Sequence, residues 1–100
     1  MPALPVNQAQ CSQTTSSISP NSVFTPAFTL TSATVYFLIQ NRGDCDLTIS
    51  YAGSAAGTAI GFLLKPGASM EFNDIIPLGA GSIAAGAGTV GAYTIMTCSA

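Results

Sequence analysis

Residues 33–41 read Ala-Thr-Val-Tyr-Phe-Leu-Ile-Gln-Asn, and the alternation in this stretch decides the fold class. Val35, Phe37 and Ile39 fall on one side of an extended chain, and Tyr36, Leu38 and Gln40 on the other, because side-chain direction reverses at every residue of a strand. The first set makes a full core face. The second is apolar enough to suggest burial on both sides. Asn41-Arg42-Gly43-Asp44 follows as a turn, with Gly43 expected to supply a positive φ. Asp46–Tyr51 then alternates again, with Leu47, Ile49 and Tyr51 inward and Asp46, Thr48 and Ser50 outward.

Outward from this pair, the chain keeps the same short period. Val23–Leu30 is rich in β-formers but carries Pro26, which confines it to an edge or a bend. Ala52–Thr58 is a loop of small residues. Ala59–Leu64 and Ala68–Asn73 flank Lys65-Pro66-Gly67, a type II turn signal that predicts a hairpin. Ser82–Ala85 offers a short strand and Thr89–Thr97 a longer last one. No apolar pattern of helical period persists with caps, so no substantial helix is expected. About seven strands at close turn spacing predict an all-β fold, a small antiparallel β-sandwich of jelly-roll-like or immunoglobulin-like type.

Residues 1–22 are different in kind. They hold no charge and are dominated by Gln, Ser, Thr, Asn and Pro. Such a segment buries too little apolar surface to offset its ordering entropy. It is expected to be an extended N-terminal arm, tied down by a neighbouring subunit, beside a β-sandwich domain of residues 23–100. The opening Met-Pro-Ala-Leu-Pro has no basic region leading into an apolar run, so no signal peptide is read there and a product made in a cytosol is expected.

Composition narrows function. In 100 residues there are two Lys or Arg, four Asp or Glu and no His, against about a quarter charged residues in ordinary soluble domains. Acid–base, metal and phosphate chemistry draws on those groups, so catalysis, cofactors and metals are not expected. A net charge of −2 offers no cationic footprint for nucleic acid. Residues 75–100 are uncharged, but five glycines there make a poor membrane helix. So neutral a surface gives little protection against association, which points to a part covered by partners.

The side chains that could carry chemistry each have a plainer reading. Arg42-Gly43-Asp44 spells an adhesive tripeptide at a turn, where Asn, Gly and Asp gather for backbone reasons. Asp44 and Asp46 flank Cys45, yet two carboxylates fall short of the oxygens calcium needs. Glu71 and Asp74 could be a glycosidase pair, but the parity of Met70 and Phe72 turns Glu71 outward. Without His, neither a serine triad nor an activated cysteine can be assembled. Cys11, Cys45 and Cys98 form no CxxC pair. They read as buried or idle thiols, with one disulfide left open if the protein ends up outside a cell.

Residues 36–97 resemble small virion proteins of tailed bacteriophages, among them capsid decoration or cement proteins. The likeness lies in an apolar strand ending Ile39-Gln40-Asn41-x-Gly43, a second strand from Leu47-Thr48-Ile49 to Gly53, a Leu64-x-Pro66-Gly67-x-Ser69 turn, and an Ala84-Ala85-Gly86 step to Val90. It implies a structural virion protein, made in the host cytoplasm, that oligomerises (a trimer favoured) and cements the major capsid protein. The alternative is a carbohydrate-binding or adhesive module with Tyr36, Tyr51 or Tyr93 as stacking platforms.

Overall fold

The structure, a computed structural model, describes residues 10–50, 62–73 and 75–99. Eight strands run along it: β1 (Gln10–Ser17), β2 (Thr25–Leu30), β3 (Thr34–Asn41), β4 (Leu47–Ser50), β5 (Phe62–Leu64), β6 (Ser69–Phe72), β7 (Gly79–Ala85) and β8 (Ala92–Ser99). They form two four-stranded antiparallel sheets, β1-β8-β3-β6 and β2-β7-β4-β5. The first strand pairs with the last, the second with the seventh, the third with the sixth and the fourth with the fifth. That is one long hairpin rolled up, with β3 against β8 and β4 against β7 closing the roll. This is a jelly-roll β-sandwich.

The alternation read from the sequence positions the core. Phe37 and Ile39 of β3, Leu47 and Ile49 of β4, and Ile83 of β7 are all fully buried, joined by Leu30, Leu64, Tyr93 and Ile95. Phe37 lies between Phe28, 4.8 Å away ring to ring, and Phe72 at 6.3 Å. Burial on both faces of β3 does not hold: Tyr36, Leu38 and Gln40 are half-buried on the outer face, and Val35 at the strand's open end is 40% exposed.

Several boundaries differ from the sequence reading. The eighth strand is β1, in a segment expected to be an arm tied to a neighbour. Gln10–Ser17 pairs in unbroken register with β8 of its own chain, Gln10 opposite Ser99 through Ser17 opposite Ala92. The expectation of poor burial was sound, since only Ser16 of β1 is even partly buried. What it omitted is that a sheet edge supplies backbone partners without any core. Residues 1–9, Tyr51 and the 52–58 loop lie outside the described residues.

The predicted hairpin across Lys65-Pro66-Gly67 is a crossover. The turn forms, with Gly67 at φ 81° and the Ala68 N–H donating to the Lys65 carbonyl at 3.0 Å. However, β5 pairs with β4 and β6 with β3, so the turn carries the chain from one sheet to the other. Gly43 does not take the positive φ expected of it. Its role is close approach: a Cβ there would collide with the Val90 carbonyl. In β2, Pro26 sits beside a bulge on a sheet edge, as its chemistry requires.

Candidate functional site

The feature that stands out is the edge of β1, which is free among the described residues. Every sheet has two edges, and an exposed row of backbone N–H and C=O groups is a template for another strand unless it is blunted. Two of the other edges are blunted among the described residues: β2 has Pro26 and the bulge, and β6 is four residues long and carries Glu71, while β5 begins where the described residues resume. β1 is eight residues long, uncharged, free of proline and regular throughout.

On the outer face of that sheet, Cys11, Gln13, Thr15 and Ser17 stand beside Cys98, Met96, Thr94 and Ala92 of β8. Cys11 and Cys98 are joined in a disulfide, which replaces the idle-thiol reading for both. Tyr36 of β3 continues that row beyond Cys98. Two rows further along, past Gln13 and Met96, the Thr15 and Thr94 hydroxyls are 3.0 Å apart, and on the other face Ser12 and Thr97 meet at 3.4 Å. A signal for the disulfide was present in the sequence: the cysteines lie near the two ends of the chain, and jelly-roll winding brings first and last strands side by side. That pairing could be read only once the first strand was counted.

The Arg42-Gly43-Asp44 segment is a corner between the sheets. Asp44 Oδ1 accepts the N–H groups of Thr89 and Val90, both at 2.8 Å, and the Asp44 N–H donates to the Val90 carbonyl. Those two N–H donors hold the carboxyl below the usual Asp range. Beneath it, Asn41 is buried and fully used: Nδ2 donates to the carbonyls of Cys45 at 2.7 Å and Leu64 at 2.9 Å, while Oδ1 accepts the Gly43 N–H. The Cys45 thiol is buried, and burial first, then the Asp44 charge, pushes its pKa up. It is a protonated thiol of low reactivity. This corner reads as structure, and its aspartate is already engaged.

The other weighed residues do not converge. Glu71 accepts the Tyr36 hydroxyl at 2.6 Å, a bond that raises the phenol's pKa above its ordinary value; Asp74, its supposed partner, lies outside the described residues. Asp46 pairs with Lys65 at 3.1 Å in the open, a contact of little energetic weight. Tyr93 is a core residue, while Tyr36 is half-buried on the outer face. Among the described residues no group of three or more His, Cys, Asp or Glu could hold a metal ion, and no helix is long and apolar enough to cross a membrane.

No known protein family and no curated protein matches the chain. Among solved structures, it is similar to a protein of Bacillus endospore appendages, described as a novel family of disulfide-linked pili. The TM-score is 0.50 at 11% identity, over 99% of this chain and 96% of that one. At this identity the likeness is one of fold.

Proposed function

We propose that this chain is a non-catalytic structural subunit of an extracellular appendage, and that copies associate through the free edge of β1. The observation that carries this reading is a contrast among the described sheet edges: β2 and β6 are blunted, whereas β1 is long, regular and uncharged. A strand added to such an edge gains main-chain hydrogen bonds, and a second copy supplies strands of its own. The low charge of the whole surface and a disulfide suited to an oxidising compartment support it, as does the likeness in fold to an appendage protein.

One feature sets this chain apart from the description of that neighbour. It has three cysteines; two are joined within the chain and the third is buried. In the oxidised state no accessible thiol is left to bond another copy, so its assemblies are held by strand pairing and surface burial. The test is electron microscopy and light scattering of the purified full chain, with a non-reducing denaturing gel of whatever assembles. Fibres that dissolve to monomers on that gel are expected, and Gln13→Lys/Thr14→Lys, which places charges on both faces of β1, should abolish them. Fibres indifferent to that variant would remove β1 from the contact. A chain that stays monomeric yet binds empty phage capsids stoichiometrically would restore the capsid-cement reading.

A further inference from the structure

We propose that the Cys11–Cys98 disulfide is a redox latch on β1: oxidised, it holds the strand in the sheet, and reduced, it lets the strand peel away from its N-terminal end and bare the edge of β8. The first half of the argument is how little else holds that end. No residue of β1 belongs to the buried core, and its side chains are hydroxyls, amides and one cysteine. They reach β8 through the disulfide and two hydroxyl pairs, Ser12 with Thr97 and Thr15 with Thr94. Exposed backbone hydrogen bonds with no apolar cover are the first to open in a folded domain.

The second half is the asymmetry between the two ends of the strand. Past Ser17 the chain is fastened well: the Ile18 N–H donates to the Gly91 carbonyl at 2.9 Å, Asn21 N–H to Gly86 at 2.8 Å, and Ser22 Oγ accepts the Ala85 N–H at 3.2 Å. Ile18 also packs on the core. At the other end, Cys11 opposite Cys98 is the second described pair of the ladder, after Gln10 opposite Ser99, so the bond sits at the far end of the described pairing from that fastening.

The chemistry is ordinary exchange with a dithiol. Cys11 is exposed, whereas Cys98 is buried at 6%, so a reductant's thiolate attacks the Cys11 sulfur and Cys98 leaves as thiolate, taking up a proton. The reductant's second thiol then displaces Cys11, giving two protein thiols and the reductant's own disulfide. Two electrons move from dithiol to protein. If fibres form through β1 as proposed above, the same step dismantles them; the latch itself does not depend on fibres.

The experiment is hydrogen–deuterium exchange, read by peptide mass, on the full chain at a concentration where it is monomeric, before and after dithiothreitol. Exchange across residues 10–15 should rise about tenfold or more on reduction, as a local opening would give, while β3, β4 and β7 stay protected. Cys11→Ser/Cys98→Ser should show the raised exchange without reductant and not respond to it. Unchanged protection of β1 on reduction overturns the latch, as does an equal loss across β3, β4 and β7, which would make the bond a staple of the whole sandwich. Fast exchange of β1 in a protein that never forms fibres keeps the latch and removes the appendage reading.

Discussion

Strands β3 and β1 are both eight residues long, lie in the same sheet and pair with the same neighbour, β8, from opposite sides. They are held there by different physics. β3 buries Phe37, Ile39 and Asn41 and would seek the core wherever the chain placed it. β1 buries almost nothing and owes its place to a hydrogen-bond ladder, the fastening of residues 18–22 and one covalent bond. A β-strand thus needs an unsatisfied sheet edge and a way to be kept beside it; an apolar face is one such way among several.

The comparison is broken most sharply by truncating one buried and one edge side chain. Phe37→Ala removes a ring packed between Phe28 and Phe72 and should cost about 3–5 kcal/mol, much of the ~5–15 kcal/mol that holds a small domain together. Thr14→Ala in β1 should fall within about 0.5 kcal/mol of wild type. Urea unfolding followed by circular dichroism measures both. Equal losses would mean that β1 shares in the core after all.

A polar residue of β3 gives the next largest effect. Asn41 is 1% exposed, and its side chain serves two carbonyls and one N–H at the corner between the sheets. Asn41→Ala leaves those groups without their partner, at roughly 1–3 kcal/mol for each that water cannot reach. The loss should exceed that of any hydroxyl deletion in β1, read on the same urea curves. Asn41→Asp keeps Oδ1 and loses both donors, so it should fall near the Ala variant.

These two strands also mark how far the sequence could be read. The alternation in residues 33–41 and 46–51 located Phe37, Ile39, Leu47 and Ile49, because a half-buried strand writes its burial into a period of two. It turned Ser50 outward, whereas Ser50 is buried opposite Ser82 of β7. The turn at Pro66-Gly67 was legible because only a few residue types take those angles. Which strand that turn leads to was not, since sheet assignment is decided by contacts distant in sequence, such as Leu64 opposite Leu47. β1 was missed as a strand for the reason that makes it a candidate interface: its polar residues report no burial. The Cys11–Cys98 bond followed it out of sight. Asn41 was read as a turn residue, and nothing in its local sequence signals that its amide is spent inside the protein.

A smaller effect tests the Asp44 corner. Its carboxyl titrates below the ordinary Asp value of about 3.9 because the Thr89 and Val90 N–H groups favour the charged form. A folded pKa below the unfolded one contributes stability that is complete above the unfolded value and is lost as pH falls through the folded one. The stability advantage of wild type over Asp44→Asn should therefore be constant near neutrality and shrink as pH drops below about 4. Denaturation midpoints across that range measure it. An advantage that grew on acidification would show that the carboxylate is not held by those two donors.

The smallest expected effect is on assembly itself, and it bears on the edge that β1 leaves open. The strand has no charge along its eight residues, and the whole chain has only two Lys or Arg against four Asp or Glu, with Lys65 and Asp46 already paired. Raising salt from 0.1 M to 1 M shortens the Debye length from about 10 Å to about 3 Å. That removes exposed charge pairs, while backbone pairing and apolar burial persist or strengthen. Assemblies built on the β1 edge should keep their sedimentation profile across that range and dissolve in urea, which competes for peptide groups. A profile that collapses at a few tenths molar NaCl would move the contact away from β1 and towards the exposed charges Arg42, just past the end of β3, or Glu71 on its partner β6.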